Sequence, residues 1–451
     1  MQNICFFDCY KDKSGTWESL VDDSLVSGNS KLSFSQRSVV CFDARKAFSL
    51  GLSKDRFCYD IKLLYKHDGE LSKLVKSKKL NCSQEFFERE SVFSAHTRAI
   101  SEAKMDIQHN SLKDLVPDSV RVPYLRTRMK AISELWYKLT DKDIENYEKM
   151  VWPVFLNLLK VEDSKIAIDE NFIDQTLKNG CDEVHVRKFL EHTKSLTVDG
   201  FTKTKINPVG SRTWRYRVES GFNCMAIPHG LPRKAVVSRF NDGRIVTLDF
   251  NAIDYRCLIK AVNDATLNSI YEGQSDFHSV TAAFLQDIED ARNVAKKTTY
   301  ASIYGGSVES LMKLTLLPRE KMVSNLRILD EKFRSISEFR KHLAAESRKN
   351  GFLITPGGHK VEVFNDDHDG KIIGLFAQTY SSSILNKALD IALSILADCR
   401  SKIIFTVHDE IVIDCHPQEL HLMNIVIEEV LKQTGFLMKR KEGKNYDEAT
   451  N

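Results

Sequence analysis

Two aspartates lie beside apolar segments, where a carboxylate can reach both solvent and a bound cation. Asp249 ends the apolar run of Arg244–Phe250 (RIVTLDF), and Asp409 interrupts Lys402–Cys415 (KIIFTVHDEIVIDC). A strand-end aspartate usually caps a turn or a helix, so either residue alone indicates little. If the two strands are neighbours in one sheet, both carboxylates lie at one edge and can share two Mg²⁺ ions, with Glu410 as a weaker third ligand. Such a pair of ions activates a hydroxyl nucleophile and neutralises a leaving pyrophosphate.

A second pattern lies between the two aspartates. Arg292, Lys296, Tyr300 and Tyr304 recur at four-residue steps, and a glycine pair follows them. Four-residue steps keep side chains on one face of a helix. Two cations suit a triphosphate, and two aromatic rings suit a base and a sugar. An amphipathic helix with its polar face in water would show the same spacing, so this helix alone leaves both interpretations open.

The elements that must position these residues can be read from hydrophobic periodicity. RIVTLDF predicts a buried strand, and a helix is predicted from Asp254 onward. Helical patterns dominate 263–349, and Lys402–Cys415 predicts a β-hairpin with Asp409 at its turn. A closing helix is predicted at Pro417–Gln433, followed by a basic, polar tail.

Composition limits the class of protein. The chain has 451 residues, 42% hydrophobic and 28% charged, with a net charge of +3. It is long enough for two or three domains, and its near-neutral charge disfavours a simple nucleic-acid coat. The ten cysteines form no CxxC pair, which disfavours a zinc site and favours reduced thiols. The N-terminal sequence is not typical of a secretory signal, and no apolar run is long enough to span a membrane, so we expect an intracellular enzyme.

Three segments resemble, in order, the signature motifs of family A DNA polymerases. DFNAIDYRCL at Asp249–Leu258 resembles DYSQIELRxL. RNVAKKTTYASIYGG from Arg292 resembles the finger-helix motif RxxxKxxxYxxxYG. VHDE at Val407–Glu410 resembles the third motif. A lone VHDE would carry little weight, but three motifs in order on the predicted elements form a specific match.

Shorter segments extend the resemblance over roughly residues 147–435. They are Thr213-Trp214-Arg215 with Asn223–Pro228 (compare TGR…NLQNIP), Asp276-Phe277-His278 (compare DIH), Gly351–Gly358 (compare GYVxTxxG) and the palm-helix glutamine Gln378.

The resemblance implies a role for each matching residue. Asp249 and Asp409 would bind two Mg²⁺ ions, and Lys296 would donate a proton to pyrophosphate. Contacts to the incoming dNTP are implied for Arg292, Lys296, Tyr300, Tyr304, His278 and Asp254. Contacts to the primer-template are implied for Arg215, Gln378, His408 and Arg256.

The resemblance also implies an α+β right-hand polymerase fold, with an antiparallel-sheet palm, helical fingers and a small N-terminal α/β domain. The expected domains are an exonuclease-like remnant (1–125), a helical entry to the palm with a reduced thumb (126–205), the first palm segment (206–262), the fingers (263–349) and the second palm segment (350–451).

Three departures from the family pattern modify these expectations. Asp254 replaces a glutamate that closes the sugar pocket against a 2′-hydroxyl, which puts sugar discrimination in question. Only about 35 residues separate Leu177 from Thr213, too few for the long helical hairpin of a normal thumb. The N-terminal region loosely resembles a proofreading exonuclease, with Asp43 and Asp60 as candidate acids, but it lacks a DxE pair and is expected to be inactive.

The sequence therefore predicts a DNA polymerase that extends a primer with dNTPs and does not proofread. The alternatives are a single-subunit RNA polymerase or primase-like enzyme and a non-catalytic DNA-binding relic. A processivity factor or a helicase/primase is an expected partner in DNA replication, and no membrane association is expected.

Overall fold

The chain folds into two compact units, Met1–Pro153 and Val154–Asn451, in a computed structural model. The structure describes residues 4–11, 17–21, 24–27, 38–41, 44–49, 52–53, 58–64, 129, 133, 136–137, 139–250, 252–272, 282, 291–304 and 308–450.

The first unit contains a mixed five-stranded sheet in the order β3-β2-β1-β4-β5. Its strands are β1 (Ile4–Lys11), β2 (Trp17–Val21), β3 (Ser24–Ser27), β4 (Ser38–Cys41) and β5 (Cys58–Asp60). β1 pairs parallel with β4 and antiparallel with β2. The described helices of this unit are α1 (Ala44–Ser49), α2 (Ile61–Leu64) and α3 (Asp141–Asn146), followed by a π-helical turn, Tyr147–Val151.

Asp60, a candidate nuclease acid, is buried at the end of β5 and accepts hydrogen bonds within this unit. The amide of Ala44, where α1 begins, donates to its Oδ2 (2.8 Å), and the amide of Leu63 donates to its Oδ1 (3.1 Å). A side-chain acceptor at a helix start satisfies amides that have no partner within the helix. The observed bonds give Asp60 a structural role, and Asp43 lies outside the described residues.

The second unit contains the remaining helices and strands. Its helices are α4 (Trp152–Asp163, which begins in the first unit), α5 (Glu170–Lys178), α6 (Val184–Leu196), α7 (Leu231–Lys234), α8 (Ile253–Val262), α9 (Ala265–Glu272), α10 (Ala291–Tyr304), α11 (Val308–Thr315), α12 (Arg319–Lys332), α13 (Arg334–Asn350), α14 (Asp369–Ile395), α15 (Leu422–Thr434) and α16 (Tyr446–Thr450). Its strands are β6 (Ile166–Ala167), β7 (Phe201–Thr202), β8 (Thr204–Asn207), β9 (Arg217–Gly221), β10 (Arg244–Asp249), β11 (Phe352–Ile354), β12 (Lys360–Glu362), β13 (Lys402–Val407), β14 (Glu410–Cys415) and β15 (Lys439–Gly443).

A four-stranded antiparallel sheet in the order β13-β14-β10-β15 lies at the centre of this unit. Side chains of these strands enter a buried apolar core that includes Ile245, Phe405 and Val412. Ile173 of α5 and Leu190 of α6 belong to the same core. The predicted strand, the hairpin and the closing helix are all confirmed, each within a few residues of its expected bounds.

The basic, polar tail after the closing helix forms two elements that the sequence did not predict. Residues Lys439–Gly443 form β15, which pairs with β10 along its length, and α16 follows. The strand reads KRKEG, so it has no apolar alternation to reveal it. Charged side chains are common on an edge strand because they oppose pairing with another chain. This explains why the sequence of β15 did not indicate a strand.

A bundle of helices adjoins the sheet. The 27-residue helix α14 packs against α8, α10, α13 and α15. The helix predicted from the four-residue spacing is confirmed as α10, which buries Val294, Ala295 and Thr298 on one side. The glycine pair after α10 lies outside the described residues. Among the described helices, none combines the length and the apolarity needed to cross a bilayer.

A buried ion-pair network fixes the segment that precedes Arg215. The Asp367 side chain is fully buried and accepts bonds from the guanidinium of Arg212 and from Nζ of Lys371 (2.6 Å). The Nε of Arg212 also donates to the Glu362 carbonyl of β12 (2.8 Å). Burial by itself would raise the pKa of Asp367, but bonds from Arg212 and Lys371 outweigh it and hold the pKa well below its usual range.

We expect Asp367→Asn to lower the free energy of unfolding by about 1–3 kcal/mol, because the partly buried Arg212 loses the charged acceptor of its hydrogen bonds. Since the folded pKa of Asp367 is depressed, the difference in the free energy of unfolding between wild type and variant is complete above the ordinary aspartate pKa of 3.8. It should shrink as the pH falls towards the folded pKa. Urea denaturation at neutral and acidic pH measures both effects. Asp366→Asn, at the exposed neighbouring position, is the control, and equal losses in the two variants would contradict the prediction.

Candidate active site

The two predicted metal ligands lie at one end of the central sheet. β10 and β14 are adjacent and antiparallel, with Asp249 directly opposite Glu410. Asp409 occupies the two-residue turn between β13 and β14, and its carbonyl accepts a bond from the amide of Phe250 (3.2 Å). The juxtaposition expected from the sequence is therefore present.

The backbone adopts a left-handed conformation at three residues next to the site. His408, the first turn residue, has φ 52°, and Ala252, which precedes α8, also has φ 52°. Trp214, just before Arg215, has φ 59°. Hairpin turns that follow the twist of their strands need a positive φ at the first turn position, which explains His408. Residues other than glycine in this region store on the order of 1 kcal/mol or more of strain, a feature that concentrates at functional sites.

Negative charge accumulates around Asp409. Loss of hydration and the carboxylates of Asp254 and Asp249 raise its pKa well above the usual range, against the opposing charge of Arg215. Burial, with a further contribution from Asp249, raises the pKa of Glu410 to about 7, although the hydroxyl of Tyr446 donates to Glu410 (2.9 Å) and opposes the shift. A cluster of carboxylates that resist ionisation favours an added cation.

Arg215 is shared between two carboxylates. Its Nη2 lies 3.2 Å from both carboxylate oxygens of Asp254 and 3.7 Å from Oδ1 of Asp409. Asp254 lies in the first turn of α8 and is 7% exposed, and its Oδ1 also accepts a bond from Oγ of Ser381 (2.7 Å). This arrangement places Asp254 beside the proposed metal ligands.

A tight turn presents Arg215 to the site. The Oγ of Ser211 accepts a bond from the amide of Arg215 (2.9 Å) and donates to its carbonyl (3.1 Å). The ring of Trp214 is buried, with its centroid 4.3 Å from that of the buried His359. Its Nε1 donates to the Lys360 carbonyl (3.4 Å). These contacts fix the backbone from which the Arg215 side chain extends.

Three of the predicted primer-template residues line one cavity of about 360 Å³: Arg215, Gln378 and His408. Tyr216, also in the lining, donates a hydrogen bond to Oδ1 of Asn386 across the cavity wall. Burial around the ring and the nearby Arg215 charge lower the pKa of His408, which favours a neutral imidazole. The cavity therefore combines two cations, Arg215 and Arg217, with neutral polar groups, a set that suits a nucleic-acid groove.

The described residues cover only part of the predicted dNTP-binding set. Arg292 is exposed on α10, and Lys296, Tyr300 and Tyr304 follow it along the same helix at successive four-residue steps. The side chains of those last three lie outside the described part of the chain, as does all of His278. Arg256 is partly buried on α8, one turn beyond Ala252.

Sequence reasoning missed two contacts at the site. The bond from Ser381 to Asp254 joins α14 to α8 across 127 positions, and no local spacing signals it. Tyr446 was assigned to a polar tail, although its hydroxyl reaches Glu410. The only available signal for Ser381 was its position three residues after Gln378, which places both residues near one face of a helix.

Comparisons with known proteins agree with the architecture. The POL domain of Pol1 from M. smegmatis, solved in complex with DNA primer-template and dNTP, matches with a TM-score of 0.73. The match covers 99% of this chain and 96% of that chain, at 16% identity. This likeness confirms the predicted α+β polymerase fold.

Sequence relatives lead to the same group. The DNA polymerase of Mycobacterium phage D29 is 23% identical over 225 residues, covering 45% of this chain and 37% of the phage protein. DNA polymerase I of Caldicellulosiruptor bescii is 21% identical over 365 residues, covering 72% of this chain and 42% of that protein. The chain thus matches less than half the length of either relative. A family model described as DNA polymerase family A matches residues 216–441, half of the chain and the region that holds both aspartates, and the chain therefore belongs to DNA polymerase family A.

Proposed function

We propose that the protein is a template-directed DNA polymerase that extends a primer 3′ end with dNTPs by two-metal nucleotidyl transfer. The observation that carries this proposal is the position of Asp249 at the end of β10 and of Asp409 in the turn before the neighbouring strand β14, beside a cavity lined by Arg215, Gln378 and His408. Family membership supports the same activity.

The residues present fit a pair of Mg²⁺ ions. Asp249 and Asp409 would bind them, with Glu410 as a weaker ligand, because carboxylate oxygens are the donors that Mg²⁺ prefers. The charge that raises the pKa of Asp409 would be neutralised by a cation. Among the described residues, no three acidic, histidine or cysteine side chains form a complete ligand set, so water and phosphate oxygens would complete it. When bound, the ions would activate the primer hydroxyl and stabilise charge on the leaving pyrophosphate.

The chain's own side chains would orient the substrates. Arg215, Gln378, His408 and Arg256 would contact the primer-template, where minor-groove acceptors common to all base pairs report pairing geometry. Asp254 would border the nucleotide sugar. The helix α10 would present Arg292 and Lys296 to the triphosphate, with Lys296 as proton donor to pyrophosphate. The remaining proposed dNTP contacts are Tyr300, Tyr304 and His278.

Further parts of the proposal concern the setting. The first unit is proposed to lack proofreading activity, since Asp60 is committed to helix amides. An intracellular role in DNA replication, with a processivity factor or a helicase/primase as partner, is consistent with the polymerase family.

Primer extension tests the proposed function. With a DNA template, a labelled primer and Mg²⁺, we expect stepwise addition of dNTPs, and chelation of Mg²⁺ should stop it. Preference for rNTPs would instead identify an RNA polymerase. Failure to extend any primer on DNA or RNA templates would favour the alternative of a non-catalytic DNA-binding relic.

A further inference from the structure

We propose that Ser381 is a positioning residue for sugar selection, which acts by holding the Asp254 carboxylate at the edge of the active site. This inference rests on the proposed polymerase function and adds a residue to it. Its basis is one buried contact between α14 and α8, the bond of 2.7 Å from Oγ of Ser381 to Oδ1 of Asp254.

The hydroxyl of Ser381 has a single proton and two acceptors within reach. The Gln378 carbonyl lies 3.0 Å from Oγ, and it already accepts a bond from Ser382 (2.8 Å). The Asp254 Oδ1 is closer (2.7 Å), and as the partner of the Arg215 guanidinium it is a stronger acceptor than a neutral carbonyl. Because Ser381 is 1% exposed, water does not compete for its proton. Asp254 is therefore its preferred acceptor.

These contacts hold both oxygens of the Asp254 carboxylate. Oδ1 accepts from Ser381 and from Nη2 of Arg215, and the same nitrogen lies 3.2 Å from Oδ2. That nitrogen also lies 3.7 Å from Oδ1 of Asp409, so the bonded carboxylate adjoins the proposed reacting centre. Its rotation is restricted from two sides, by α14 and by the Arg215 turn.

A carboxylate held in one orientation disfavours a ribose. The 2′-hydroxyl is the group by which a protein distinguishes RNA from DNA, and it needs a hydrogen-bond partner when it leaves water. Oδ1 already accepts two bonds, so it is a poor acceptor for that hydroxyl. Without the Ser381 hydroxyl, Oδ1 gains an open acceptor position and the side chain gains freedom to turn. Aspartate is one methylene shorter than the glutamate of the family. Asp254 can therefore exclude the ribose only if Ser381 holds its carboxylate in place.

The experiment measures steady-state incorporation of a dNTP and of the matching rNTP by the full chain. We expect Ser381→Ala to lower the preference for the dNTP, given by its kcat/KM divided by that of the rNTP, by roughly tenfold. The main cause should be a lower KM for the rNTP. The kcat for the dNTP should stay within about threefold of wild type. The ratio does not depend on the fraction of folded enzyme, so partial unfolding of the variant cannot produce this result.

Ser383→Ala is the matched control. It removes a hydroxyl from the same helix that donates only to the Tyr380 carbonyl of its own turn (2.7 Å). Both variants can lower the melting temperature, but only Ser381→Ala should change the ratio. An unchanged ratio in Ser381→Ala, an equal change in Ser383→Ala, or a wild type that accepts both sugars equally would overturn the inference while leaving the polymerase function intact. A wild type that extends no primer would overturn both.

Discussion

Replacing either strand-end aspartate should abolish primer extension. Asp249→Asn and Asp409→Asn each keep the side-chain volume but remove the negative charge that would hold Mg²⁺. The expected loss in rate is on the order of 10³-fold or more, which corresponds to at least about 4 kcal/mol of transition-state stabilisation. Single-turnover extension on a primed template measures the chemical step directly.

Folding and DNA affinity separate this effect from damage to the sheet. Asp249 is partly exposed at the end of β10, so the asparagine variants should retain wild-type circular dichroism and bind primer-template with near-normal affinity. Asp242→Asn is a suitable control, because Asp242 is exposed just before the opposite end of the same strand. A variant of Asp249 or Asp409 that keeps a tenth of wild-type activity would remove that residue from the proposed metal site.

The sequence predicted those parts of the fold that carry a strong local pattern. RIVTLDF and the hairpin at Lys402–Cys415 contain short apolar runs bounded by polar residues, so the strands and the position of Asp409 at a turn followed from hydrophobic burial. The helix α10 followed from its four-residue spacing. In each case the local pattern and the tertiary structure favour the same arrangement.

The remaining features depend on contacts that local patterns do not encode. β15 is charged along its length and is a strand only because β10 offers an edge to pair with. The bond from Ser381 to Asp254 and the network around Asp367 join residues more than 100 positions apart. A single sequence contains no periodicity for such pairs, and only the packed structure brings them together.

Asp254 illustrates the limit at the site itself. Its motif position predicted a place near the nucleotide sugar but no partner for its charge. The structure pairs it with Arg215, a residue predicted to contact DNA. Arg215 lies close to Asp254 and also lines the cavity. Its position is therefore compatible both with a contact to DNA and with an Asp254 that borders the sugar.

The segment between α5 and Arg215 affects how firmly the protein could hold duplex DNA. It contains α6, of 13 residues, and the short strands β7 and β8. A helix of that length spans about 20 Å. One face of α6 packs in the core, where Val186, Leu190 and Thr193 are buried. The reduced thumb remains a prediction, under which so short a segment would make fewer contacts with phosphates behind the primer terminus than a long helical hairpin would.

We therefore expect the purified chain to add only a few nucleotides per binding event. Each missing phosphate contact removes a share of the counterion-release free energy, and flattens the dependence of log K on log salt concentration by about 0.9 for duplex DNA. Extension in the presence of a heparin or excess-DNA trap measures product length per encounter, and the same reaction without a trap shows the length reached by repeated binding. Salt titration of primer-template affinity should give a correspondingly shallow slope.

The most direct alternative is that α6 itself grips the duplex, and two exposed cations on this helix provide a test. Arg187 and Lys188 lie side by side on α6, and a short helix could still grip DNA through them. If products under the trap reach hundreds of nucleotides, the expectation of weak retention is wrong. Neutralising both residues with glutamine would then show whether α6 is the gripping surface, since product length and the salt slope should fall together. If products are short and the double variant matches wild type, α6 makes no productive contact with the duplex, and sustained synthesis requires a separate tether that keeps the enzyme on its template.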